Sequence, residues 1–558
     1  MTDIAALVAD HIDLWTSATI RKSGAGRGGG KRISLYGIER LRALILDLAV
    51  RGKLVPQDAG DEPATKLLAD IKSAKAKYLA KYSLPKQRVL AEPTVNSPFE
   101  LPASWSWSCL GEISAYIQRG KSPKYKEGSG IYVVSQRCVQ WVGLDLTVAR
   151  EISQESLASY EPYRFLQSND LLWNSTGTGT IGRVIALGDV PDGIVCDSHV
   201  TLVRCPWVEA RYLQSWLASD AVYGQIESLA AGSTNQIEWT AQLATAQLVP
   251  LPPLAEQRRI VAKVDELMAL CDALEGESAG ALAAHQALVE ELLATLVKAE
   301  NAADLAVQWA RLESHFDTLF TTPASIDTLK QTILDLAVRG KLVEQGAGDE
   351  HSSTLLARIA SKRTRLDQTN QSRKHTSNKF PFEIPNSWSW TTLGGLSRLP
   401  YGKNLPTTEL KEEGYSVFGA NGVIGKFSEF HYENPMLLIS CRGAYSGKPN
   451  ISPPRCFVTN NSIVCEFHDP ALCDYRCYFY FLSGMDKSTM VSGSAQPQVT
   501  VAKAAPFPIP LPPLAEQRRI VAKVDALMAL CDALKARLTD AATTQRHLAD
   551  AITQRVAA

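Results

Sequence analysis

Apolar residues recur at alternating steps of four and three after Pro253: Ile260, Val264, Leu267, Cys271 and Leu274. That spacing is the a/d seam of a coiled coil. It returns at Ile520, Val524, Leu527, Cys531, Leu534 and Leu538, with Leu548 and Ile552 extending it, while Leu288 and Leu292 continue the first stripe. Each stripe predicts a helix of about 40 residues, about 60 Å long at 1.5 Å per residue. Pro252-Pro253 and Pro512-Pro513 suit a first helical turn. Gly276 and Gly280 are expected to weaken the middle of the first helix. Alone, either helix would expose its stripe, so the simplest arrangement packs the two together. Length favours a spacer over an ordinary core helix.

A shorter helical pattern runs through Ile38, Leu41, Ile45 and Leu48, with Gly52 placed to stop it, and again through Ile326, Leu329, Ile333 and Leu336 before Gly340. Between about Phe99 and Val249 the period changes. Runs such as IYVV, LLW, RVIAL and HVTLV alternate with Gly, Pro, Asn and Asp, which predicts strands and turns. Phe380 to Ile509 has the same texture in different letters.

The chain spells one plan twice. Pro250–Glu275 and Pro510–Lys535 differ only at Glu266/Ala526 and Glu275/Lys535. ILDLAVRGKLV begins at Ile45 and Ile333, and SWSW followed by Leu-Gly begins at Ser104 and Ser387. A period this long is two modules on near-identical connectors, not a solenoid. The expected fold is α+β, with two mixed α/β modules separated by long coiled-coil helices that pack together, in an internal repeat. Its parts are an N-terminal helix and Gly-rich linker (1–36), a repeated helix and basic linker (37–98) and the first module (99–250). A central long helix (251–300), a second repeated helix and basic linker (301–379), the second module (380–510) and a C-terminal long helix (511–558) follow.

Composition changes this picture little. With 558 residues, 45% hydrophobic and 21% charged, the chain suits several soluble domains. The N-terminus has no basic n-region and does not resemble a signal peptide, and no run approaches the roughly 20 apolar residues of a membrane span. Eleven cysteines, odd in number and without a CxxC pair, fit reduced thiols in the cytoplasm. Cys473-x3-Cys477 alone is weak as a metal site. Net charge is zero, but two basic runs precede the modules. The first carries Lys66, Lys72, Lys75, Lys77, Lys81, Lys86 and Arg88 against Asp70. The second carries Arg358, Lys362, Arg363, Arg365, Arg373, Lys374 and Lys379 against Asp367. Solvated linkers and phosphate contacts both fit them.

Catalytic patterns are missing. GTGTIGR at Gly177 lacks the lysine and hydroxyl of a phosphate loop, and there is no HExxH, GxSxG or carboxylate–lysine nuclease pattern. The Pro-Pro pairs at 252, 453 and 512 lack the Asn/Asp-Pro-Pro-aromatic setting of an amino-methyltransferase. His199 reads as a structural or recognition residue rather than a base. Polar, glycine-bearing loops suited to base edges and phosphates are present. In the first module the candidates are Gln118, Arg119, Lys121, Asn174, Ser175, Thr176, Thr178, Thr180 and Arg183. In the second they are Lys403, Asn404, Arg442, Tyr445, Ser446, Lys448, Asn460 and Asn461. For any one of them an ordinary turn remains the alternative. Residues 100–250 hold ten Lys plus Arg against fifteen Asp plus Glu, and 380–510 balance ten against ten. Because phosphate neutralisation drives non-specific affinity, the modules alone should bind DNA weakly.

LPPLAEQRRIVAKVDELMALCDALE and LAVRGKLVPQDAGDEPA resemble the repeated regions of the specificity subunit of type I restriction-modification systems, over nearly the whole chain except residues 1–36. The resemblance implies that each module is a target recognition domain reading half of a split DNA site, that the long helices form an antiparallel spacer setting the gap between half-sites, and that the repeat has pseudo-two-fold symmetry. It implies two docked copies of a methyltransferase subunit that binds S-adenosylmethionine, and motor-nuclease subunits using ATP and Mg. This chain would bind no cofactor or metal and catalyse nothing itself. Two alternatives are a self-sufficient bipartite DNA-binding protein and a methyltransferase or nuclease in its own right.

Overall fold

A computed structural model describes residues 4–22, 32–85, 98–177, 179–226, 238–300, 302–363, 380–493 and 496–557. The chain forms two compact units, one of residues 1–280 and 542–558, the other of residues 281–541. Each long helix (Leu254–Lys298 and Leu514–Ala557) therefore gives its first part to one unit and its second part to the other. The first helix runs unbroken through Gly276 and Gly280, where an added Cβ would meet open space. By length and composition this helix also passes for a membrane span. Its ion pairs from Asp265 to Arg211 and from Asp272 to Arg42 place it against protein instead.

In the first unit the short helix Tyr36–Val50 buries Ile38, Leu41, Ile45 and Leu48, as the seam Ile260, Val264, Leu267, Cys271 and Leu274 is buried. Polar contacts fix the helix directions. Just beyond the short helix, Gln57 donates to Glu256 at the start of the first long helix, and Lys53 donates to the carbonyl of Ala557 at the end of the second. Toward its N-terminus, Arg42 pairs with Asp272 and Glu275, and Arg40 with Asp550. The two long-helix segments are therefore antiparallel to each other.

The second unit repeats this arrangement around Pro323–Val338. Gln345 donates to Glu516 and Lys341 to the carbonyls of Val297 and Ala299, while Lys330 pairs with Asp532. Ile520, Val524 and Cys531 share one hydrophobic cluster with Val289, Leu293 and Leu296 and with Ile326, Leu329 and Ile333; Leu527 and Leu534 pack at its margin. The seam thus closes on the short helix as well as on the other long helix, which makes three helices where the stripe alone suggested two. The exchange of Glu275 for Lys535 is compensated locally, because Glu275 bonds Arg42 and Lys535 bonds Asp327.

A short N-terminal segment has a counterpart before the second short helix. His11 precedes the helix Ile12–Ser17 as His315 precedes Phe316–Leu319, with matching backbone angles and with Trp15 and Leu319 buried. In the first copy a two-stranded ribbon, Thr19–Lys22 with Arg32–Leu35, follows.

The two modules have one topology. The first orders its four-stranded antiparallel sheet as Val184–Ala186, Asp170–Asn174, Val200–Arg204, Tyr116–Arg119. The second orders Pro449–Ile451, Leu437–Ser440, Ser462–Phe467, Ser397–Arg398. Each has a smaller sheet with one parallel pair, Tyr132–Val134 with Val195–Cys196 and Tyr415–Phe418 with Phe457–Val458. The repeated SWSW and PLP texts pair as strands, Trp107 opposite Pro250 and Trp390 opposite Pro510.

All three repeated texts meet in one joint per unit. Glu256, fully buried, accepts from Trp105 Nε1 (3.0 Å) and Gln57 Nε2 (2.5 Å); Glu516 accepts from Trp388 Nε1 (2.9 Å) and Gln345 Nε2 (2.6 Å). Gln257 donates to Pro252 O and accepts from Glu209 N; Gln517 does the same with Pro512 and Asp474. Arg259 pairs with Asp61 and Arg519 with Asp349. Burial raises the carboxyl pKa of both Glu256 and Glu516, against the bonds from tryptophan and glutamine that lower it. Glu256→Ala should cost about 1–3 kcal/mol in urea denaturation, since the buried Trp105 N–H loses its acceptor. Because the folded state holds these protons more tightly, stability should fall as pH rises from the unfolded carboxyl value, about 4.3, through the raised folded value. A Glu256→Gln/Glu516→Gln double variant should flatten that fall.

Candidate nucleic-acid interface

The candidate face grows from the end of the sheet in each domain. Gly120 N donates to Val200 O (3.0 Å), and Lys121 bridges in parallel to Asp197. In the second domain Gly402 N donates to Ser462 O (3.0 Å) and Lys403 bridges to Thr459. Only glycine fits at these crossings, since a Cβ at 120 would lie 2.1 Å from the Cys196 carbonyl and one at 402 2.3 Å from that of Thr459. Next along the face, Ser175 N donates to His199 O and Cys441 N to Asn461 O, both at 2.9 Å. A third strand closes the lattice, Trp239 N on Ser175 O (2.8 Å) and Val499 N on Cys441 O (3.0 Å). The main-chain bonds match; the side chains they display do not.

In the first domain most sequence candidates are held by the protein itself. Asn174, Ser175 and Thr176 are buried. Asn174 donates to the carbonyls of Gln136 and Thr180, Ser175 bonds Thr201, and Thr176 bonds His199 Nδ1 at 2.7 Å. Thr180 donates to Thr176 O, and Arg183 to Gln140 and Gly179 O. Gln118 accepts from Arg164, and Lys121 donates to Ser159 O and pairs with Glu161, whose pKa is lowered chiefly by that lysine. Arg119 donates to Ser198 O (2.7 Å) and pairs with the exposed Glu238 (3.2 Å). Thr178 lies outside the described residues.

The second domain leaves more in solvent. Lys403, Asn404, Arg442, Tyr445 and Lys448 are exposed, with Lys448 over the Tyr445 ring. Asn460 and Asn461 are half-buried, Asn460 reaching Asn404 at 3.4 Å, and Ser446 donates to Pro497 O. These segments adjoin one another: Asn460 N bonds Lys403 O, Gly443 N bonds Pro497 O, and Arg442 bridges to Gln498. Glu238, Ser198 and Gln498 also lie on these faces. Sequence reasoning passed over them because no local motif marks them; only the lattice does.

The basic runs differ in their commitments. Lys72, Lys77 and Lys81 are exposed on the helix Ala64–Lys81, Lys66 pairs with Glu62, and Lys75 is turned inward to Gly111 O, where burial lowers its pKa. In the second run Arg358 pairs with Glu350 and Lys362 with Asp469. Lys86, Arg88, Arg365, Asp367, Arg373, Lys374 and Lys379 lie outside the described residues. Among the described residues no three His, Cys, Asp or Glu side chains converge as a metal site.

Residues 385–543 match the family model of the type I restriction modification DNA specificity domain. The specificity subunit of the type I restriction enzyme EcoAI of Escherichia coli is 33% identical over 592 aligned residues, covering 99% of both chains. The chain belongs to the type I restriction-modification specificity subunits. The EcoEI specificity subunit of Escherichia coli is 32% identical, again over 99% of both chains. A chain in a solved structure concerning complex assembly of the type I R-M system is 21% identical, over 82% of this chain and 99% of that one, with a TM-score of 0.49. As a specificity subunit, this protein is the non-catalytic DNA-recognition component of its system. Gly120→Ala and Gly402→Ala should each cost about 3 kcal/mol from overpacking, measured by denaturant unfolding of the full chain.

Proposed function

We infer that this specificity subunit reads a split DNA target, one recognition domain per half-site, and docks two copies of one methyltransferase subunit on equivalent faces of its long helices. One observation carries the docking. The joint and the seam account for the identity of Glu256, Gln257, Arg259 and the apolar stripe between the two copies. They leave unexplained Ala255, Ala262, Ala269, Leu270 and Ala273, which are exposed and repeated as exposed Ala515, Ala522, Ala529, Leu530 and Ala533. Leu270 is 37% exposed and Leu530 68%. Folding places little demand on such positions, and an exposed apolar stripe is a mark of an interaction site. The same stripe displayed twice fits the same partner twice.

Catalysis then lies with the partners: S-adenosylmethionine on the methyltransferase subunits, ATP and Mg on motor-nuclease subunits, all in the cytoplasm. The acidic balance of the first recognition domain supports this division, because phosphate contacts must come largely from elsewhere in the complex. Leu530→Glu should weaken methyltransferase binding about tenfold, as expected of an apolar anchor, while leaving thermal unfolding unchanged; calorimetric titration measures the first. The isolated chain should bind its DNA weakly at physiological salt. Nanomolar specific binding by the chain alone would instead establish a self-sufficient reader. Deleting the gene should abolish methylation at a split adenine motif in the methylome, and an unchanged methylome would refute the assignment.

A further inference from the structure

The shared lattice allows the two recognition faces to be compared residue by residue. Ser175 N on His199 O corresponds to Cys441 N on Asn461 O, so His199 stands where Asn461 stands and Ser198 where Asn460 stands. Trp239 N on Ser175 O corresponds to Val499 N on Cys441 O, so Glu238 stands where Gln498 stands. The register holds one residue later, where Thr240 and Thr500 each precede a short helix, Ala241–Ala246 and Val501–Ala504. Glu238 and Gln498 are exposed and the other four are half-buried.

Six residues thus occupy three shared backbone positions, lie at or near the surface and all carry hydrogen-bonding side chains, yet no pair keeps its chemistry. Buried lattice residues differ too, Ser175 against Cys441, but these three pairs differ while every member keeps a hydrogen-bonding side chain within reach of solvent. Contacts around the six are polar: Ser198 with Ser122, His199 Nδ1 with the buried Thr176, Glu238 with Arg119, and Asn460 with Asn404. Asparagine and glutamine present a donor beside an acceptor, matching the N6 and N7 edge of adenine, whereas a carboxylate only accepts and matches the cytosine amino group.

We propose that these three pairs are base-reading positions, with Asn460, Asn461 and Gln498 directed at adenine edges in one half-site and Glu238 at a cytosine amino group in the other. Arg119, bonded to both Ser198 O and Glu238, is a positioning residue. The inference rests on the DNA-reading role above, and its failure can be told apart from failure of that role.

The test uses the full chain assembled with its methyltransferase subunit and a library of DNA sites randomised one half-site at a time. Glu238→Gln should move the preference at one base pair from cytosine toward adenine by about tenfold and leave the other half-site unchanged. Gln498→Glu should do the converse in the other half-site. Arg119→Lys should weaken discrimination at the Glu238 base pair without changing which base is preferred. Where a variant no longer methylates, competition binding on the same library reads the preference directly. Unchanged preferences in both Glu238→Gln and Gln498→Glu, or a single substitution altering both half-sites, would overturn the inference. A native complex that shows no bipartite preference would overturn the DNA-reading role beneath it instead.

Discussion

A buried carboxylate that receives the indole N–H of a tryptophan holds each half of this protein together. Glu256 and Glu516 sit on the first turns of the two long helices, Trp105 and Trp388 at the start of each recognition domain, and Gln57 and Gln345 in the segment after each short helix. One side chain therefore ties the three pieces whose mutual placement decides where a recognition face lies relative to its helix. A charged group out of water is costly unless fully bonded, and each of these carboxylates has two donors. The arrangement leaves little freedom at the joint, which is a sufficient reason for its text to be the same in both copies.

Variation is confined to where the backbone does not depend on it. The lattice of the candidate faces is built from main-chain N–H and C=O groups, with Gly120 and Gly402 at the closest crossings. Side chains that project from it can change without disturbing the bonds beneath. Two domains of one topology can thus present Glu238 or Gln498, His199 or Asn461, at the same place. The same property makes the faces hard to find from sequence, because their residues share no letters.

The long helices combine both kinds of constraint. One side is fixed by the seam and the short helix, and at its charge reversal each copy has its own partner, Arg42 for Glu275 and Asp327 for Lys535. Another side is exposed and still repeated, which folding does not require. The residues that differ between copies report which contacts are locally replaceable; the exposed residues that match are those to which the internal packing gives no role.

The sequence by itself determined the twofold plan, the two long helices, the alternating strands of both domains and the family, because periodicity and repetition are properties of the text. It also showed that catalytic motifs were missing. Only the tertiary structure decided which polar residues of the glycine-bearing loops turn inward, as Asn174, Ser175 and Thr176 do, and which stay in solvent, as Arg442 and Lys448 do. It gave residues 11–15 a counterpart at 315–319, where His11 and His315 share a backbone setting. Above all it explained the stretch at Pro250 and Pro510. Read as letters it is a repeat; folded, it is a strand, a buried joint, a seam and an exposed stripe in 26 residues. Which of these roles each residue has depends on what packs against it, and that is set by strand pairings and helix contacts between positions far apart in the chain.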